Sequence, residues 1–125
     1  MCKMTPVIWK NVVVNKNSFW GRRQEINRKI TIPLEYELNK KNGVFNAYRW
    51  DWWERKKGNP PWKIWVGDLS KWIEAASYSL ALHKDDKLAG KIDEAVECIV
   101  SGHKEDGYIS PNPMMREQVF ANLQE

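Results

Sequence analysis

The sequence holds two cysteines and two histidines, Cys2, Cys98, His83 and His103, types that supply thiolate nucleophiles, imidazole bases and zinc ligands near neutral pH. A working thiol must be held as thiolate by a cationic or metallic neighbour. The two cysteines lie far apart, and no pair has zinc-ligand spacing. Cys98 sits inside IDEAVECIVSG and reads as a small apolar helix residue, since free cysteines are among the most buried side chains. Two distant thiols in a chain without a secretory leader argue against a disulfide framework. Each histidine flanks a helix end beside lysine and acids, and reads as a solvated cap residue. No glycine-rich phosphate loop follows a strand, so no nucleotide site is expected. No nucleophile with a paired base emerges, so the expected catalytic and metal-ligating sets within this chain are empty.

The second concentration of chemistry is aromatic. Five of the eight tryptophans, at 50, 52, 53, 62 and 65, fall in VFNAYRWDWWERKKGNPPWKIWVGD, residues 44–68. Its KKGNPP centre cannot form regular structure, so the stretch reads as a long ordered loop. Its aromatic content argues against disorder.

Charge is unevenly divided. Residues 1–67 carry 14 Lys/Arg against 5 Asp/Glu, and residues 68–125 carry 6 against 11. A basic half alone, without a nucleic-acid-binding motif, does not predict a nucleic-acid partner. No apolar run approaches the ~18 residues of a membrane span. MCKMTPVIWK lacks the apolar core of a signal peptide, so a cytoplasmic location is expected.

The elements that must position these residues are mainly helical. VIWKNVVV, residues 7–14, is short and β-branched and predicts a strand. Ser18 is placed to cap a helix starting near Phe19. Ile26, Ile30, Leu34 and Leu38 then mark one helical face, which Pro33 interrupts. A kinked helix is expected there, or two helices meeting near Thr31. Asn42-Gly43 ends it. A hairpin is predicted over 69–82 and 86–101, with Asp68 and Asp85 or Asp86 as caps. Its packed set is Trp72, Ile73, Ala76, Leu80, Leu88, Ile92, Val96 and Ile99. Trp20, Trp65 and Trp72 fall beside helical stripes and are expected in the core. MMREQVFANLQE is a weaker terminal helix without a cap.

Three stretches resemble one family in its own order: FWGRRQEINRKITIP, FNAYRWDWW…PPWKIWVGDLSKWIEAASYSL, and KIDEAVECIVSGHKEDGYIS. Together they resemble glycoside hydrolase family 127, the β-L-arabinofuranosidases and their relatives, over roughly residues 12–110. The resemblance implies antiparallel helical hairpins from an incomplete (α/α)6 barrel. Residues 1–125 would then be one partial domain, the N-terminal portion of the barrel. A truncated gene product or decayed copy would look the same.

The family implies hydrolysis of terminal arabinofuranosyl linkages and a zinc site of cysteines and a glutamate, one cysteine acting as nucleophile. Cys2 and Cys98 do not match those residues, which would lie beyond residue 125, so the chain is expected to be inactive alone. Gln24 matches a family glutamine that resembles a sugar-binding residue, and its amide offers a donor and an acceptor to vicinal hydroxyls. Trp50, Trp52, Trp53 and Trp62 are the aromatic candidates for a carbohydrate substrate, since the apolar face of a sugar stacks on indole. Where the family commonly has Asp-Ser-Asp, this chain has Val66-Gly67-Asp68, which places cleft orientation in question. The alternative reading is a non-catalytic α-helical module that binds carbohydrate or protein. An incomplete barrel also leaves an apolar edge open, so self-association or pairing with the remaining barrel segments is expected.

Overall fold

The computed structural model describes residues 4–58, 60–62, 65, 67–102 and 107–112; Cys2, His103 and the terminal helix expected over 114–125 lie outside them. The described chain is helical: α1 (Phe19–Ile26), a π turn (Asn27–Thr31), α2 (Ile32–Asn42), α3 (Val44–Tyr48), α4 (Asp51–Arg55), α5 (Asp68–Leu82) and α6 (Asp86–Ser101). A single 3-10 turn, Trp9–Asn11, precedes them.

The expected strand at Val7–Val14 is absent. Ile8 and Val12 are extended, but they flank the 3-10 turn, and Val7 and Val13 are exposed. A strand satisfies its backbone only against another strand. None exists among the described residues, so β-branched composition has nothing to pair with.

Ser18 caps α1 as expected. Its Oγ accepts the Gly21 N–H at 3.1 Å and donates to the Asn15 carbonyl at 2.6 Å. From Phe19 to Asn42 the chain stays helical, but as two α-helices that meet at the π turn ending at Thr31, with Pro33 in the first turn of the second, as expected. The chain widens just upstream, where the Ile32 N–H reaches the Asn27 carbonyl five residues back. Such a π turn is a one-turn defect in an α-helix. It rearranges the carbonyls that Pro33, lacking an N–H, cannot serve. Gly43 ends α2 with φ 90°, in the left-handed region where glycine has no Cβ penalty.

The expected long loop from Val44 begins instead as two single-turn helices, α3 and α4. Trp50 (φ 60°) separates them and Lys56 (φ 55°) ends the second. The helix is broken by these left-handed residues, whereas the Gly-Asn-Pro-Pro signal acts only later. α3 buries Val44, Phe45, Ala47 and Tyr48, which explains why this segment orders at all.

The hairpin lies where the periodicity puts it. Asp85 caps α6, accepting the N–H groups of Lys87 and Leu88 at 3.1 and 3.0 Å. Asp68 is the first residue of α5 rather than its cap, and Gly67 precedes it without a side-chain cap. Leu69, Trp72 and Ala76 from α5 meet Leu88, Ala95 and Cys98 from α6, with Ile73, Leu80, Ile92 and Ile99 partly buried against them. Val96 is exposed, contrary to expectation, because α6 turns its Ala95–Cys98 edge inward.

Ile32 and Tyr36 bring α2 into this core. The Trp72 indole N–H donates to the Ile32 carbonyl at 2.9 Å, and its ring lies 5.2 Å from that of Tyr36. The Tyr36 hydroxyl donates to the Glu94 carboxylate, which Lys40 also engages at 2.7 Å. Lys91 reaches Glu37 at 2.8 Å. These contacts fasten the outer edge of α2 to α6.

The stripe read from the sequence faces outward. Ile26, Ile30, Leu34 and Leu38 are all exposed, as are Phe19 and Trp20, the last of which was expected in the core. Trp20 is adjacent to Gly21, whose face is the one packed on Asn15 and Lys16, so its own side chain points away. Steps of four residues overshoot a 3.6-residue turn. The wide π turn between Ile26 and Ile32 takes up part of that overshoot midway.

Candidate functional site

A cleft of about 300 Å³ opens between α1 with its π turn and the C-terminal half of α5. Gln24 lines it. Asn27 and Arg28, one helical turn further on, share its wall. The π turn presents those two residues on the same side as Gln24. Opposite stand Tyr78 and Ser79 of α5 and His83 just past its end; Ser79 and His83 continue the side of α5 that carries Trp72 and Ala76, about one and two turns further along. Trp9 closes one end, edge-on to Tyr78 with ring centroids 4.9 Å apart. An aromatic wall facing amide, hydroxyl and imidazole groups is the composition of a site for a small polar ligand with an apolar face.

Arg28 is fixed before any ligand arrives. Glu25 accepts from its Nε at 3.2 Å and from a terminal guanidinium nitrogen at 3.0 Å, and Lys29 adds a contact at 3.0 Å. Hydrogen bonds from Arg28 and then Lys29 pull the Glu25 carboxyl down to about 2. A depressed carboxyl contributes stability above its ordinary value and loses it as pH falls toward the folded value. The Glu25 carboxyl resonance should therefore titrate near 2 in a two-dimensional carbonyl NMR series. In Arg28→Ala the midpoint should rise toward 4.5, and an unmoved midpoint would remove Arg28 as the cause.

Of the sugar-contact candidates read from the sequence, Gln24 alone reaches this cleft; Trp50, Trp52, Trp53 and Trp62 do not line it. Those four gather elsewhere or stand apart. Trp52 and Trp53 meet edge-to-face at 4.8 Å, with the Lys56 ammonium 4.1 Å from the Trp52 ring centroid. Trp50 and Trp53 spend their indole N–H groups on the carbonyls of Ser110 and Pro111, at 2.8 and 3.1 Å. Trp62 is exposed. Trp65 borders a separate depression between α2 and α5, with Asn39, Asn42 and Asp68.

Sequence reasoning missed Trp9, Asn27, Tyr78 and Ser79, and took His83 as a cap residue only. One signal was available. Asn27 and Arg28 follow Gln24 at three and four residues, and Ser79 and His83 are four apart, so each group shares a helical face. Nothing in the sequence indicated that the two faces oppose each other.

Cys98 has the opposite character to a metal-bound or nucleophilic thiol. It is buried, its Sγ donates to the Phe45 carbonyl at 3.0 Å, and burial pushes its thiol up to about 11. Among the described residues no cluster of three or more His, Cys, Asp or Glu side chains could hold a metal ion, so a zinc–thiolate centre does not fit them. The expected reaction of Cys98 with an aromatic disulfide reagent at pH 8 is slow in the folded protein and immediate in denaturant. Equal rates in both would remove it from the core.

The sequence has counterparts among known proteins. A family model described as the β-L-arabinofuranosidase GH127 catalytic domain matches residues 11–125. The non-reducing end β-L-arabinofuranosidase of Bifidobacterium longum subsp. longum is 34% identical over 55 residues, which are 44% of this chain and 8% of that protein. The chain thus covers less than a tenth of that relative's length. No solved structure matches.

Proposed function

Because this chain belongs to the β-L-arabinofuranosidase GH127 catalytic-domain family, we propose that it forms an early helical portion of a carbohydrate-cleaving domain and that the Gln24 cleft binds sugar. The observation that carries this reading is the position of Gln24, facing the Trp9–Tyr78 wall across a cleft of sugar-sized volume. In this reading the Gln24 amide pairs with adjacent hydroxyls, while Tyr78 offers its ring to the apolar face of a furanose. Arg28, already neutralised by Glu25, adds directional donors without a strong net field. Trp62, the most exposed of the loop tryptophans, is the one free to extend such a surface. Bond cleavage would need a nucleophile and an acid/base pair that the described residues do not assemble. The full (α/α)6 barrel and hydrolysis of terminal arabinofuranosyl linkages belong to the same proposal, as activities of a longer protein.

A second reading is a non-catalytic carbohydrate-binding module, which needs only the cleft itself. The two readings share the cleft and differ in turnover. Saturation-transfer NMR with methyl β-L-arabinofuranoside should show transfer to the sugar that falls to baseline in Gln24→Ala. Absence of transfer in the unsubstituted chain would overturn the assignment of the cleft. Incubation with an aryl β-L-arabinofuranoside, with and without zinc, should release no phenol from this chain. Zinc-dependent release lost in Cys98→Ala would overturn the structural role given to that thiol.

A further inference from the structure

The segment before α1 lies against the Gln24 cleft and is tied down at two points only. Residues 4–13 are all exposed. Among the described residues, the hydrogen bonds of 4–14 close within the segment itself. The Asn11 and Val12 N–H groups donate to the Ile8 and Trp9 carbonyls at 2.9 and 3.0 Å. One large side chain docks. Trp9 is 38% exposed, the lowest of the segment's large apolar residues, against 71% for Val7 and 93% for Val13. Its partner is Tyr78, edge-on at 4.9 Å.

The other point is a fixed turn. The Asn15 carbonyl accepts the Ser18 hydroxyl at 2.6 Å and the Ser18 N–H at 3.0 Å. The Asn15 side-chain oxygen accepts the Asn17 N–H at 2.9 Å. Gly21 packs so closely on this turn that a Cβ there would lie 2.2 Å from the Asn15 carbonyl oxygen. Between the two points the segment borders a second cavity of about 220 Å³. Lys10, Val12 and Val14 line it from the segment, and Gln24, Leu82 and His83 line it from the helices. The same three helix-side residues line the first cavity. The two cavities therefore share a wall, and the segment stands over both. A segment with few contacts and its hydrogen bonds turned inward opens at low cost.

We propose that residues 8–14 are a gate on the Gln24 cleft, latched by Trp9 on Tyr78 and pivoting at the Asn15–Ser18 turn. The ligand is held with the gate closed and exchanges with it open. The gate rests on these contacts, while a sugar as its ligand rests on the reading given above.

Limited trypsin digestion of the full chain tests it, with cleavage after Lys10 followed by mass spectrometry. Cleavage of a briefly opened segment tracks the population of the open form. Tyr78→Ala removes the latch without altering the sequence around the cut, and should speed that cleavage roughly two- to ten-fold. Tyr78→Phe keeps the ring and should be cut like the parent. Cleavage after Lys91, inside α6, should not change in either variant, which separates an open latch from an unfolded chain. Saturating methyl β-L-arabinofuranoside should slow cleavage after Lys10 in the parent. An unchanged rate after Lys10 in Tyr78→Ala would overturn the gate. Equal acceleration after Lys10 and Lys91 would also overturn it, by making Tyr78 a support of the whole fold and not a latch. Acceleration in Tyr78→Ala with no effect of the sugar would uphold the gate and remove the sugar as its ligand.

Discussion

Trp72→Ala is expected to cost most of the folding stability of this chain. Trp72 is 5% exposed and stands where α2 and α5 meet. Truncating a buried tryptophan to alanine typically costs about 3–5 kcal/mol, against roughly 5–15 kcal/mol for a whole domain. Here the loss also removes the donor to the Ile32 carbonyl and the ring against Tyr36. Tyr36 anchors the Lys40–Glu94 contact, so the fastening of α2 to α6 loosens with it. Urea melts followed by circular dichroism should show the midpoint fall sharply. Trp72→Phe separates the contributions, since it retains most of the packing and loses the N–H, and should cost about 1 kcal/mol for the hydrogen bond plus a smaller packing loss. A midpoint unchanged in Trp72→Ala would mean that α2 does not dock on α5 through this ring.

The second large effect comes from one methyl group. A Cβ placed on Gly102 would lie 1.9 Å from the Tyr48 carbonyl oxygen and 3.0 Å from its carbon. Both atoms are backbone, so no side chain can rotate away. The end of α6 and the end of α3 would have to separate. Overpacking in a well-filled interior usually costs about 1–3 kcal/mol, and a clash with fixed backbone belongs at or above the upper end. Two other glycines provide the scale. Gly43→Ala meets nothing within 4 Å but adopts φ 90°, so it should cost about 1 kcal/mol for backbone strain alone. Gly90→Ala has open space inside α6 and should stabilise the chain by about 0.5–1 kcal/mol. Melting temperatures should therefore rank Gly90→Ala above the parent, then Gly43→Ala, then Gly102→Ala. Gly102→Ala melting with the parent would show that α3 and α6 are not in contact there.

The hairpin was legible because several local signals agreed. Asp85 is a cap with helix formers after it, and the apolar spacing of both helices points to one shared side. Ser18 and Gly43 were readable for the same reason, each depending on its nearest few residues. What could not be read was which apolar face a neighbour would cover. The regular stripe from Ile26 to Leu38 is exposed, while α2 docks through Ile32 and Tyr36, a sparser set. Periodicity identifies a face, and only tertiary contacts choose among faces. Residues 7–14 failed as a strand because pairing is a property of two segments. Trp50 ends α3 and starts the turn into α4 with a conformation that its type does not suggest, held by the Ser110 carbonyl sixty residues away. The cleft shows the same limit. Gln24 was found through resemblance, but its opposing wall on α5 arises only when the helices meet.

The π turn at Asn27–Thr31 gives the 19–42 helix a phase as well as a length. A π turn is what remains when one residue is inserted into an α-helix and the flanking turns keep their partners. Losing one residue from that stretch would let the helix close into regular α geometry with its two ends still facing as they do now, so Gly21, seated on Asn15, and Tyr36, seated on Trp72, could both keep their places. A residue lost from the regular turns on either side would instead rotate the two ends against each other by about 100°, one residue's share of a 3.6-residue turn. Single-residue gaps should therefore be tolerated at Asn27–Thr31 and rare in the rest of this helix wherever the same two docking points are kept.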